Sequence, residues 1–182
     1  LLKKRYLENI KEKPDLFVGI ELEYPVANLE GKATDIEVVK DLFRYLPSVL
    51  DFTIEKVDDF GNPIQLLDPV SQDTILFEVS YTTIEFAFGR AKSIQEVEEH
   101  FRDYMELIQK KLGEANHAII GSGIHPYWEK NGNQPVAYAR YQMLMNYLKL
   151  SRAVLGTDLH DYPEYGAFIC GSQVQLDVSK SN

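Results

Sequence analysis

The sequence holds a single cysteine, Cys170, among 182 residues, so no internal disulfide can close and a reducing cytoplasm is the expected setting. Basic residues are also in short supply: 19 Lys and Arg stand against 28 Asp and Glu, a formal net charge of −9. That balance excludes a basic surface for nucleic-acid phosphates and suits a carboxylate-lined cleft that gathers cations. No apolar run approaches the roughly 18–20 residues of a membrane-spanning helix, and no signal peptide is legible, so neither nucleic acid nor membrane is an expected partner. Internal repeats, low-complexity tracts and long linkers are missing too. What is present is the composition of a packed globular chain, 45% hydrophobic and 26% charged. The length fits one domain over 1–182 or half of a larger two-part fold, and the opening Leu1-Leu2-Lys3-Lys4, without an initiator Met, is what a processed or excised piece would show.

Local patterning predicts strands interleaved with a few helices. A weak helical pattern over 2–12 ends before Pro14. Leu16 to Val26 reads as a strand, with Val18, Ile20, Leu22 and Tyr24 facing one way and Gly19, Glu21 and Glu23 the other. Thr34-Asp35-Ile36-Glu37 is a capping-box signature that predicts a helix from about Asp35 to Leu46, stopped at Pro47. Phe52–Val57 and Ile64–Leu67 flank a turn-rich stretch and predict a hairpin; Ile75–Val79 and Thr83–Phe88 predict a second strand pair. Ser93-Ile94-Gln95-Glu96 starts a helix with Ile94, Val97, Phe101, Met105, Ile108 and Leu112 on one stripe, ending at Gly113. Ala118–Ile124 is strand-like, Tyr138 to about Leu150 helical with Tyr141, Leu144, Met145 and Leu148 inward, and Phe168–Val178 a last strand. The mostly hairpin-like order predicts an α+β domain, a mainly antiparallel sheet with helices on one face.

Three of these strands share a pattern. Glu21 and Glu23, then Glu85, then Gln173, Gln175 and Asp177 each lie opposite an apolar face. If the strands join one sheet, its second face carries clustered carboxylates and amides, whose mutual repulsion asks for something positive among them. Oxygen-only donors favour Mg²⁺ or Mn²⁺ over zinc. Residues i and i+2 on a strand stand about 6.6 Å apart, which suits two neighbouring ions better than one ion gripped by both. The plain alternative is a solvated sheet face, on which Glu beside Glu is ordinary.

Other stretches are read more simply. Gly121 to Trp128 forms a Gly-rich strand exit that ends in His125 and an aromatic pair and lacks the Lys-Ser/Thr of a phosphate loop. Arg140, at a helix start, is placed to meet a carboxylate or phosphate, or simply solvent. Asp59-Phe60-Gly61 is a turn, because none of the other parts of a kinase accompanies it. Cys170 reads as a small buried hydrophobe on the apolar side of the last strand. His100, His117 and His160 fit no metal-ligand spacing, and the 11 tyrosines are scattered without a stacking platform.

Gly19-Ile20-Glu21-Leu22-Glu23-Tyr24 resembles the first-strand G-x-E-x-E motif of glutamate–cysteine ligases, carboxylate–amine ligases related in fold to glutamine synthetase. Four further pieces are similar to that family and follow in its order: Phe77-Glu78 with Ile84-Glu85-Phe86; Gly121 to Trp128; Ala139 to Tyr147; and Gly171 to Ser179. The resemblance spans about residue 17 to 179. It implies a glutamine synthetase-like catalytic fold and a ligase in which ATP phosphorylates the γ-carboxylate of glutamate and the amine of cysteine, or a related amine, displaces the phosphate. Carried over by position, Glu21, Glu23 and Glu85 would be ligands of Mg²⁺ or Mn²⁺, with Glu85 and Arg140 in catalytic roles. Gln173 and Gln175 would lie beside the metal–phosphate site, Arg140 would bind glutamate, and His125 would stand at the pocket rim.

Family members are considerably longer, so 1–182 reads as the N-terminal part of the catalytic domain, and Gln175 stands where relatives show Asn or His. A half-fold of this kind would expose an apolar sheet edge or helix face and invite pairing with another chain or with its missing C-terminal half. The competing readings are a metal, nucleotide or amino-acid binding module that has lost turnover, and an acidic scaffold with a merely solvated face.

Overall fold

The computed structural model describes residues 3–4, 12–155, 161–162 and 164–177. The helix expected over 2–12 falls almost wholly outside these residues, as do His160 and Val178. In chain order the elements are β1 (Val18–Asn28), α1 (Ile36–Tyr45), β2 (Thr53–Val57), β3 (Pro63–Leu67), β4 (Thr74–Phe77), β5 (Thr83–Ala87), α2 (Ile94–Gly113), β6 (His117–Ile119), α3 (Ala139–Leu155) and β7 (Ser172–Leu176). The architecture is the expected α+β one: among the described residues seven strands form a single sheet, every pairing antiparallel, with the three helices α1, α2 and α3 packed on it. Among the described residues no helix is long and apolar enough to cross a membrane.

The sheet runs β2-β3-β4-β5-β1-β6, and β7 also pairs with β1. β1 is the shared strand. Its residues 21–25 pair with β5 on one flank, while the other flank takes β7 along 18–22 and β6 along 26–28. Alternation along β1 then does the sorting: Leu22 pairs with Phe86 and Tyr24 with Ile84 on one face, and Ile75 and Phe77 continue that face through β4. Against it lie Val39, Leu42 and Phe43 of α1 and Val97, Tyr104, Ile108 and Leu112 of α2, all buried. At the centre Phe43 stacks on Phe77 with ring centroids 3.9 Å apart.

The helix starts follow their caps with small shifts. Asp35, rather than Thr34, caps α1, its Oδ1 accepting from the Glu37 N–H at 3.0 Å. Thr34 is unavailable because its buried hydroxyl donates to the Val26 carbonyl at 2.7 Å. Ser93 caps α2 as expected, and Glu96 reaches back to the Lys92 N–H. On α2 the stripe rotates: Ile94 is left exposed at the helix start, and Tyr104 enters the core because its hydroxyl donates to buried Asp73 at 2.9 Å.

Two strands are shorter than their patterns. The strand expected over Ala118–Ile124 is only His117–Ile119, with Ile124 reduced to an isolated bridge to Ile169. The last strand is Ser172–Leu176, preceded by a 3₁₀ turn at Tyr165–Ala167. Val174 and Leu176, the apolar side of β7, are 63% and 67% exposed. The turn after β2 is organised by buried Asp58, which accepts from the N–H groups of Phe60 and Asn62 and from the Tyr81 hydroxyl. Gly89 is required where it stands, since a Cβ there would lie 2.0 Å from the Ser71 carbonyl oxygen.

Phe43 and Phe77 are stacked and fully buried, so Phe77→Ala should cost about 3–5 kcal/mol, read as a lowered urea midpoint with the slope unchanged.

Candidate active site

Directly opposed residues of antiparallel strands present their side chains to the same face, so the registers define the second side of the sheet. Lys56 opposes Gln65, Gln65 opposes Leu76, Leu76 opposes Glu85 and Glu85 opposes Glu23, one row across five strands. Two residues back along β1, Glu21 opposes Gln173 of β7. These side chains line one cavity of about 290 Å³, whose remaining wall is made by Ile64, by Glu78 and by Tyr138, Arg140 and Tyr141 at the start of α3.

Five of the seven residues singled out in the sequence therefore meet: Glu21, Glu23, Glu85, Arg140 and Gln173. Gln175 stands just beyond them, opposite Gly19, and its Nε2 donates to Glu21 Oε1 at 3.0 Å. The glycine of the G-x-E-x-E motif makes room for it, because a Cβ on Gly19 would come within 3.0 Å of Gln175 Oε1.

His125 is placed otherwise. It is fully buried and does not line the cavity. Its Nδ1 accepts from the Tyr127 N–H at 3.0 Å, which leaves Nε2 to donate to the Val26 carbonyl at 2.9 Å. Burial lowers its affinity for a second proton, so the neutral ring is a brace between β1 and the Gly-rich loop. Cys170 is likewise no nucleophile: burial pushes its thiol up to about 12.

Like charge dominates the cleft. Glu85 is 9% exposed, and its carboxyl is pushed up to about 8, first by burial and then by the neighbouring charges of Glu78, Glu21 and Glu23, with a hydrogen bond shared with Glu78. Glu23 is raised in the same direction, mainly by burial, although its Oε2 accepts from the Gly171 N–H at 2.7 Å. A proton on Glu85 thus relieves part of the repulsion among four carboxylates. Among the described residues, no three His, Cys, Asp or Glu side chains stand close enough together to enclose a metal ion. The donor set is nonetheless all oxygen and negatively charged, the kind that suits a hard divalent cation, so the residues present fit Mg²⁺ or Mn²⁺ in chemistry.

Glu78, Lys56, Tyr138 and Tyr141 were not anticipated as cleft residues. Glu78 was within reach, because period-two alternation from Leu76 carries it to the cleft face. Its backbone is set by a tight turn in which Val79 takes φ 58°, a conformation unusual for a β-branched residue and held by buried contacts. Tyr141 was legible as inward-facing. Its hydroxyl donates to the Phe77 carbonyl at 2.8 Å and lies 3.3 Å from Glu78 Oε2, which ties the helix bearing Arg140 to the turn bearing Glu78.

The antiparallel sheet thus carries an acidic cleft lined by Glu21, Glu23, Glu78 and Glu85. The glutamate-cysteine ligase family 2 matches over residues 17–182, and the chain belongs to that family of ligases. No curated protein matches the chain.

Two outcomes test this electrostatic picture. The Glu85 carboxyl holds its proton more tightly folded than unfolded, so its contribution to stability is complete below the ordinary value of 4.5 and is lost as pH rises through about 8. Urea denaturation should show stability falling by on the order of 2 kcal/mol between about pH 5 and pH 9 through this group, and Glu85→Gln should flatten the slope. His125→Ala should lower stability by about 2–3 kcal/mol with ligand affinity at the cleft little changed in the folded fraction.

Proposed function

We propose that the chain serves as an ATP- and Mg²⁺-dependent carboxylate–amine ligase that joins the γ-carboxylate of glutamate to the amine of cysteine or a related amine. The observation that carries this reading is the acidic cleft itself: four carboxylates, an arginine and a lysine line one cavity in a chain of the glutamate-cysteine ligase family. A γ-carboxylate oxygen attacks the terminal phosphorus of ATP, and ADP leaves. The amine then attacks the acyl carbon of the resulting acyl phosphate, inorganic phosphate departs with its oxygen, and the nitrogen gives up a proton.

Chemistry of this kind depends on neutralised charge and in-line placement more than on covalent help from the protein. Glu21, Glu23 and Glu85, with Glu78 beside them, are the residues that would hold Mg²⁺, or Mn²⁺ in its place. The bound ion would supply positive charge against the phosphates. Arg140, on the cavity wall at the start of α3, would offer its guanidinium to a carboxylate of glutamate. Gln173 and Gln175 present neutral amides, which hydrogen-bond phosphate oxygens without adding charge. Tyr141 keeps Arg140 and Glu78 in fixed relation through its bonds to the β4–β5 turn.

Calorimetric titration with ATP and Mg²⁺, followed by an assay for ADP release with glutamate and cysteine, tests the reading. The expected outcome is metal-dependent nucleotide binding and glutamate-dependent ADP formation, both abolished in Glu21→Gln with Glu85→Gln. Binding without turnover would instead mark a binding module. Absence of both, together with a slight rise in stability of the double variant, would leave a solvated acidic face and overturn the proposal.

A further inference from the structure

The cleft carries a cation that the reaction above does not use, and an irregularity in the sheet puts it there. β2 pairs regularly with β3 at Thr53–Leu67 and Ile54–Leu66, but the next pair is Lys56–Gln65, because the register shifts between Ile54 and Lys56. A regular ladder would set Glu55 against Gln65 and turn Lys56 to the opposite face. The bulge sets Glu55 and Lys56 both against Gln65, and Lys56 is the one that lines the cavity. Bulges that re-aim a side chain in this way concentrate beside functional sites.

Gln65 fixes the position of Lys56. Its Oε1 accepts from Lys56 Nζ at 2.7 Å, while its Nε2 donates to Glu55, so the carboxamide is oriented by one charge on each side. Three strand spacings, about 14 Å, separate the backbones of Lys56 and Glu85 along the row. Among the described residues neither Lys56 nor Arg140 forms an ion pair, although both share the cavity with four carboxylates. Glu21, Glu23 and Glu85 thus stand on β1 and β5 and Glu78 on the β4–β5 turn, and neither cation is paired with any of them among the described residues.

Resting on the ligase reading, we infer that Lys56 binds an oxyanion of the substrate, a second anchor that works with Arg140. The chemistry, a strongly hydrated ammonium held by a neutral amide, is shared by a carboxylate and a phosphoryl group. The amino acid and the nucleotide are the two sources.

The test titrates the full chain, as wild type and as Lys56→Gln, Lys56→Arg and Glu55→Gln, with glutamate and separately with ATP and Mg²⁺. Urea midpoints check that each variant is folded. Lys56→Gln keeps an amide that can bond Gln65, so the bulge should survive. The expected result is at least tenfold weaker binding of one ligand by Lys56→Gln, substantial recovery in Lys56→Arg, and no change in Glu55→Gln. Loss in the glutamate arm identifies a carboxylate, and loss in the nucleotide arm a phosphoryl group. Unchanged affinities in Lys56→Gln, or equal losses that Lys56→Arg does not recover, would overturn the role of Lys56 and leave the ligase reading standing. A wild-type chain that binds neither ligand would overturn that reading, and this inference with it.

Discussion

Glu23 and Glu85 face each other across two hydrogen-bonded strands, and the face of the sheet they occupy is organised around their repulsion. Like charges directly opposed on a sheet are destabilising, and here Glu21 and Glu78 add to them. The fold accepts that cost because the reverse face of the same strands, Leu22, Tyr24, Ile84 and Phe86, is committed to the core. With a side-chain period of two, one face cannot be buried without presenting the other. The raised proton affinity of Glu85 and a backbone N–H to Glu23 work to relieve part of the strain. A hard cation is the other way to relieve it, which links the stability of the sheet to the proposed chemistry.

The cations of the cleft sit on parts of the fold remote in sequence from the acids. Arg140 arrives on the first turn of α3 and is held by Tyr141 against the β4–β5 turn. Lys56 arrives through an irregularity in β2 and is held by Gln65. Neither is ion-paired with the carboxylates among the described residues. Separation of this kind keeps the cleft from neutralising itself and leaves each charge available to a ligand, at the expense of local stability.

Much of this was legible beforehand. The alternation in Val18–Tyr24 places Glu21 and Glu23 on one face, and the same reading of Thr83–Phe88 places Glu85. What alternation cannot convey is which strand lies beside which, so the union of Glu23, Glu85 and Gln173 in one cavity rested on a family likeness that the match over residues 17–182 now supports. His125 braces the core rather than standing at the pocket rim, and a histidine after a Gly-rich exit looks the same in sequence in either place. Only the Val26 carbonyl and the Tyr127 N–H decide between the two. Lys56 was invisible because a bulge depends on the partner strand, and no pattern within β2 announces it.

The sequence by itself determined which faces would be apolar, where the three described helices would start to within a residue or so, and that acids would outnumber bases on one side of three strands. Those properties follow from local periodicity, capping and composition, which need only near neighbours in the chain. The tertiary structure decided the registers, the raised proton affinity of Glu85, the seat of His125 and the entry of Arg140 and Lys56 into one cleft. Each of these depends on partners outside the local periodicity, from the neighbouring strand to groups about a hundred residues away, whose interaction exists only once the chain has folded.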